Sequence, residues 1–516
     1  MSKPFYITTP IYYVNDEPHL GHAYTTILAD ALSRFACLRG SEVFFLTGTD
    51  EHGQKVQEAA AARGIDPRTH ADEMVERFRN LWAELHVAYQ DFIRTVEPRH
   101  VQVVQAVLQQ LWNQGEIYRA PYEGWYCVPD ERFWTEKDLV DGNCPDCGRP
   151  VKRLTEDNYF FRMSAYQGWL IDYINDHPSF IQPETRRNEV LGFLQQPLGD
   201  LCISRPKTRL SWGISLPFDE DYVTYVWFDA LLNYVTAAGY LSDRQRFERY
   251  WPEVMHLIGK DILTTHCVYW PIMLKAAGLT PPRTVFAHGW WVLQGIKMSK
   301  SRGNVVKPLD LARIYGVDAF RYFLLRDMTL GRDADFSEDG LAQRYEGDLA
   351  NDLGNLLHRV VNMIGRYCNG RVPELQGTQV GDTILREQGQ VTVARVLSQV
   401  EQLRLNDALT NVLGYVNRIN SYLEQGAPWS LAKQKGRQRE VETILYTAAE
   451  ALRLAATLLW PVMPERIAEL WRRLGWQPSD SLRDGLQWGG LRPGAQVIEG
   501  PPLFPKQVIQ EPVTVG

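Results

Sequence analysis

Two imidazoles stand three residues apart in His19-Leu20-Gly21-His22, and each can donate a hydrogen bond to a phosphate oxygen. Gly21, between them, carries no side chain to hold an anion off the backbone. Far along the chain, Lys297-Met298-Ser299-Lys300-Ser301 runs into Arg302-Gly303-Asn304 and puts two ammonium groups in a turn-rich loop. Either stretch alone is an ordinary surface feature; the pair offers donors and cations suited to a nucleotide. A third set, Cys127-x-x-Asp130 with Cys144-x-x-Cys147 around Asp141-Gly142-Asn143, has the spacing of a metal knuckle. Asp can ligate zinc through oxygen, so a Cys3Asp zinc site fits the pattern, and so does a knuckle without metal.

The first pair needs a strand, a loop and a helix. Phe5 to Thr9 is β-prone, Pro10, Asn15, Asp16 and Pro18 mark a loop, and from Ala23 the residues Ile27, Leu28, Ala31, Phe35 and Leu38 repeat at helical spacing until Gly40. In a parallel sheet such a loop lies at the carboxyl end of the strand, with the helix N-terminus aimed at a bound anion. A second strand is predicted at 43–47, with Gly48-Thr49-Asp50-Glu51-His52-Gly53 as its loop. A helix then ends near Arg63-Gly64, another starts at Asp66-Pro67, and a strand at 91–95 precedes a helix over 97–114.

Between 120 and 220 short strands, turn pairs and the cysteines interrupt this alternation. It resumes with a helix over 227–240, a strand at 255–258, a helix over 263–277 and a strand at 284–287, and the lysine loop follows. Past Asp333 helical patterns take over at 337–367, 392–403, 408–424, 437–460 and 464–474. The fold expected is α/β: a doubly wound parallel-sheet domain split into 1–119 and 221–332 by a connective insertion (120–220) that carries the knuckle. An all-α helical bundle over 333–475 and an extended, proline-rich tail over 476–516, free or laid back on the body, complete it.

Composition narrows the function classes. A chain of 516 residues predicts two or three domains, and 45% hydrophobic with 23% charged residues is ordinary for a globular protein. A net charge of −7 argues against a general basic coat for nucleic acid, leaving room for a local basic face. Seven cysteines with no secretory leader ahead of the first strand predict a reducing, cytoplasmic setting. Cys37, Cys202, Cys267 and Cys368 are isolated and read as buried thiols. No apolar run reaches the roughly 18 residues a membrane span needs.

Three further features are candidates for binding. Gly259-Lys260-Asp261 ends a strand and opens a helix, so Asp261 can accept from ribose hydroxyls or simply cap the helix, and spacing does not choose. Trp227, Ala230, Leu231 and Tyr234 share one helix face, and Ile262, His266 and Trp270 share another. Stripes like these are usually core packing, yet an indole, a phenol and an imidazole on converging faces would leave donors in need of partners in a dry core.

The two phosphate-binding runs resemble the HIGH and KMSKS signatures of the class I aminoacyl-tRNA synthetases, and the surrounding residues are similar to the methionyl-tRNA synthetase family over about residues 5–474. The resemblance implies activation of methionine by ATP, with Mg2+, to methionyl-adenylate, followed by transfer to the 3′ adenosine of tRNA(Met). It implies that His19, Gly21 and His22 serve the α and β phosphates and that Lys297, Ser299 and Lys300 serve the β and γ phosphates. Asp261, with Gly259, would meet the ribose. Ile11, Tyr13, Asp50, Trp227, Ala230, Tyr234, Ile262, His266 and Trp270 would form the methionine pocket, with Asp50 on the ammonium and His266 or Tyr234 hydrogen-bonded to sulfur. Leu231 departs from the family, which also carries Pro there. Asn355, Arg359 and Trp429, after Gly426-Ala427-Pro428, match the family's readers of the CAU anticodon. Family members often have Cys at the position of Asp130, in a structural zinc site.

Two other enzymes share parts of this pattern. A small-molecule nucleotidylyltransferase also uses an H-x-G-H loop, without needing the long helical region. A sister synthetase for leucine, isoleucine or valine would carry a large editing insertion that this chain lacks, and one for cysteine a catalytic metal. A decayed, non-catalytic RNA-binding relative is disfavoured by the intact His19, His22, Lys297 and Lys300. The absence of a C-terminal OB-like domain suggests a monomer.

Overall fold

The computed structural model describes residues 3–505 apart from 129–131, 135, 146, 298–305, 376, 378–379 and 480. Strand β1 (Pro4–Thr8) leads into helix α1 (Leu20–Leu38), and β2 (Glu42–Asp50) follows. Two helices over Gln54–Ala62 and Pro67–Glu84 separate it from β3 (Asp91–Arg94). After α2 (Pro98–Asn113) comes the insertion, and later β4 (Val254–Gly259) and β5 (Thr284–His288). The five strands are parallel in the order β3-β2-β1-β4-β5, with short strands at Tyr12–Tyr13 beside β2 and Ile181–Gln182 beside β5. The strand order reverses between β1 and β4, so a crevice opens outside their carboxyl ends, where ligands of such sheets bind.

Several boundaries differ from the sequence expectation, each for a physical reason. Helix α1 starts at Leu20 rather than Ala23, because His19 caps it. Strand β2 runs on through Gly48 and Thr49 to Asp50; a Cβ on Gly48 would lie 2.0 Å from the Ile93 carbonyl oxygen, so this glycine permits close strand packing and starts no loop. The helix expected over 227–240 is broken at Leu232 into α3 (Val226–Leu231) and α4 (Asn233–Ala238). The one expected over 263–277 opens into a π-helical turn at Thr265–Tyr269 before α5 (Trp270–Ala276), and His266 lies on that wide turn.

In the insertion, antiparallel strands Ile117–Cys127 and Lys152–Phe161 form a long ribbon whose tip bears the cysteines. Beyond the sheet, long helices pack as a bundle: α6 (Asn355–Tyr367), α7 (Val380–Glu401), α8 (Leu405–Gly426) and α9 (Gln438–Leu459). A π-helical stretch at Tyr345–Gly354 interrupts the helix expected over 337–367. Helix α7 begins well before residue 392, where the pattern had put it. A Cβ on Gly389 would meet the Tyr415 hydroxyl at 2.5 Å, so a residue that weakens the helical signal is the one that lets two helices approach.

Bundle and sheet share a core, and Arg321 stands at the junction. It is fully buried and donates to Asp30 on α1 (2.5 Å), to the Val462 carbonyl after α9 (2.9 Å) and to the Leu85 carbonyl (2.9 Å). Removing one partner of such a buried pair typically costs about 3–5 kcal/mol. The described part of the tail lies back on the bundle: Glu450 accepts from the backbone of Gly489, Gly490 and Leu491, and Arg453 donates to the carbonyls of Gly485 and Gln487. Among the isolated cysteines Cys267 is buried and Cys202 and Cys368 are partly so, whereas Cys37 is exposed, since it falls on the outward side of the last turn of α1. No helix among the described residues is long and apolar enough to cross a membrane.

Candidate active site

A cavity of about 320 Å³ lies in the crevice between β1 and β4. On one side is the N-terminus of α1. The Gly21 amide donates to His19 Nδ1 (3.1 Å) and the His19 amide donates to His22 Nδ1 (3.2 Å), a reciprocal cap built from two histidines with their rings stacked 3.8 Å apart. In the neutral rings this leaves the proton on Nε2 of both, so each can donate away from the helix. A Cβ on Gly21 would lie 3.0 Å from His19 Cε1, so the glycine makes room for the cap as well as for an anion.

Next along the wall are Gly259 and Asp261. A Cβ on Gly259 would stand 2.5 Å from Asp261 Oδ1, so only glycine lets this carboxylate fold back at the strand end. Asp261 does not act as the helix cap; its Oδ1 accepts from the Trp290 indole at 3.1 Å. The Trp290 amide in turn donates to Asp333, which pairs with Lys260 at 2.7 Å, and the Lys260 ammonium sits 4.1 Å from the Trp290 ring centroid. Thr25, His288 and Trp290 line the cavity and were not singled out in the sequence. His288 ends β5 and Trp290 follows it, and the rule that found His19 after β1 would have found them.

The far side is apolar. Ile11, Tyr13, Asp50, Trp227, Ala230, Leu231, Tyr234, Ile262 and His266 all face the cavity. Asp50, the last residue of β2, is 2% exposed. His266 Nδ1 donates to the Ile262 carbonyl at 3.0 Å, so its Nε2 is the acceptor for the Tyr234 hydroxyl at 2.8 Å. Burial holds the His266 imidazole down at about 4, against an ordinary value of 6.5, so it is neutral at physiological pH. Within the protein the Tyr234 proton goes to His266 Nε2 and the His266 Nδ1 proton to the Ile262 carbonyl. Trp270 stands one layer behind: it is fully buried and its indole donates to His256 Nε2 (3.1 Å), which leaves His256 Nδ1 to donate to Thr8 (2.8 Å).

The remaining candidates lie elsewhere. The Lys297 backbone pairs with Val292 in a short hairpin, while its side chain, Ser299 and Lys300 lie outside the described residues. Cys127, Cys144 and Cys147 converge, with ligand atoms within 4.8 Å of one another; Asp130 is outside the described residues. Three clustered thiols are a donor set that suits zinc. In the bundle, Arg359 pairs with Glu424 at 2.7 Å and its guanidinium lies 5.7 Å from the Trp429 ring, with Asn355 exposed one turn earlier on α6.

A crevice at the switch point of a parallel sheet, with a histidine-capped helix on one side and an aromatic pocket on the other, fits the class I aminoacyl-tRNA synthetases. Comparison with known proteins extends this to the whole chain. The family described as tRNA synthetases class I (M) matches residues 5–153 and 149–361. The methionine–tRNA ligase of Caldanaerobacter subterraneus subsp. tengcongensis is 47% identical over 98% of this chain and 79% of its own length, and that of Thermotoga maritima 45% over 97% and 80%. The structure of Mycobacterium tuberculosis methionyl-tRNA synthetase in complex with methionyl-adenylate superposes with a TM-score of 0.94 at 41% identity, covering 98% of this chain and all of that one. The chain belongs to the methionyl-tRNA synthetase family. Similarity that runs through the helical region decides against a nucleotidylyltransferase or a synthetase for another amino acid.

Proposed function

We propose that the cavity binds methionine and ATP side by side, joins them as methionyl-adenylate, and passes the aminoacyl group to the 3′ adenosine of tRNA(Met). Asp50 takes the ammonium. Ile11, Tyr13, Trp227, Ala230, Tyr234, Ile262 and His266 enclose the side chain, Trp270 backs Tyr234, and the thioether gains from sulfur–aromatic contact. His19, Gly21 and His22 meet the phosphates at the α1 N-terminus, Gly259 and Asp261 meet the ribose, and Lys297, Ser299 and Lys300 meet the outer phosphates, with Mg2+ accompanying the triphosphate. The methionine carboxylate attacks the α-phosphorus and pyrophosphate leaves; the tRNA hydroxyl then attacks the acyl carbon and AMP leaves. Donors fixed before the substrates arrive, and substrates held in line, supply the acceleration.

The observation that carries this reading is the Tyr234–His266 pair. Two polar groups that satisfy each other, with the imidazole kept neutral, make a wall that accepts an uncharged, donor-free side chain beside an acid for the ammonium. Asn355, Arg359 and Trp429 form the anticodon platform, where unpaired bases stack on the indole and offer their edges to Asn and Arg. Cys127, Cys144 and Cys147, with Asp130, hold a structural zinc. The enzyme works as a cytoplasmic monomer. Methionine alone among the proteinogenic amino acids should drive exchange of pyrophosphate into ATP and charge tRNA; exchange that proceeds equally with leucine or without any amino acid would overturn the reading.

A further inference from the structure

Behind the cavity lies a buried charge cluster with no role in the chemistry described so far. Asp229, on α3 between Trp227 and Ala230, is fully buried. One of its oxygens faces His52 Nδ1 at 2.6 Å and the other faces His100 Nε2 at 2.6 Å. His52 follows Asp50 by two residues, and His100 sits on α2. The other nitrogen of His100 lies 3.3 Å from the Thr236 hydroxyl, which donates its own proton to the Leu232 carbonyl at 2.8 Å. Burial works to raise the Asp229 carboxyl, and the facing His52 and His100 outweigh it and hold the group below the usual range.

Such a cluster is a poor source of stability, because the desolvation of buried charges offsets most of their attraction. What a two-pronged carboxylate supplies is position. One prong holds His52, two residues past Asp50 at the end of β2; the other, through His100 and Thr236, holds α4 and with it Tyr234. The carboxylate itself rides on the helix that presents Trp227 and Ala230. Methionine is an unbranched chain with its ammonium at one end and its methylthio group at the other, so the distance between these walls decides which chain length fits.

We propose that Asp229, bridging His52 and His100, is a positioning residue that sets the span between Asp50 and the Trp227–Ala230–Tyr234 wall and thereby the enzyme's selectivity for the length of methionine. This rests on the assignment of that cavity to methionine, which wild-type methionine-dependent pyrophosphate exchange tests independently. Asp229→Asn keeps the shape but can accept at only one prong. In the full-length protein it should raise the methionine KM in that assay roughly 10- to 100-fold. The ATP KM should stay within about twofold, and the preference for methionine over its S-ethyl homologue should fall at least about fivefold. His100→Gln, which retains one donor to Asp229, should move the same quantities in the same direction by less, and serves as the test if Asp229→Asn does not fold. An unchanged methionine KM in the folded variants, an equal rise in both KM values, or an undiminished preference over the S-ethyl homologue would each overturn the proposal.

Discussion

Tyr234→Phe isolates the polar pair on which the methionine assignment turns. The substitution removes one oxygen and leaves the ring packed against His256 and Trp270. His266 cannot compensate by turning, since its Nδ1 is tied to the Ile262 carbonyl at 3.0 Å. Its Nε2 then loses a donor 2.8 Å away in a residue that is 2% exposed. A buried acceptor left without its partner costs about 1–3 kcal/mol. If that cost appears when the occupied cavity excludes water, the methionine KM rises roughly 5- to 150-fold. The phosphate and ribose groups, His19, His22 and Asp261, do not touch this pair, so the ATP KM should remain within about twofold. Initial rates of methionine-dependent pyrophosphate exchange, with each substrate varied at saturating levels of the other, give both values. An ATP KM that rises with that for methionine would refute the reasoning, as would a methionine KM that stays put.

Trp429→Ala should cut tRNA charging roughly 5- to 150-fold while pyrophosphate exchange survives, since base stacking on an indole is worth about 1–3 kcal/mol and adenylate formation needs no tRNA; equal loss of both activities would count against an anticodon role. His266 binds a proton more readily in the unfolded chain, at its ordinary 6.5, than in the fold, at about 4, so falling pH across that window removes stability, up to about 3 kcal/mol from this group. Chemical denaturation between pH 7 and 4 should show His266→Phe losing less stability than the wild type; parallel losses would contradict the assigned shift. Metal analysis of freshly purified protein should find about one zinc per chain, with Asp130→Cys retaining it longer against a chelator; metal-free protein with an intact, fully active fold would show that the knuckle holds by packing.

Much of this site was legible in the sequence because its parts are local. The run His19-Leu20-Gly21-His22 carries its strand, its loop and its helix start within a few residues, and the stripes on 227–234 and 262–270 keep helical spacing across the break at Leu232 and the wide turn at His266. What spacing does not carry is partnership over long separations. That His288 meets Thr25, that Trp290 meets Asp261, and that Asp229 meets both His52 and His100 are products of the strand order, which brings the ends of β1, β2, β4 and β5 to one crevice. Trp270 belongs to the same stripe as His266 yet lies one layer back, because the bond to His256 draws its indole toward β4. Gly48, expected to open a loop, instead marks close packing of neighbouring strands, and Gly389 does the same for two helices of the bundle.

Whether one crevice holds the ammonium, the thioether and the nucleotide at once can be seen in a crystal structure with a non-hydrolysable analogue of methionyl-adenylate. The ammonium should lie on Asp50, the methylthio group against Trp227, Ala230 and Tyr234 with the Tyr234–His266 bond unbroken, and the ribose on Asp261. An analogue seated elsewhere, or one whose sulfur displaces His266 from Tyr234, would contradict it.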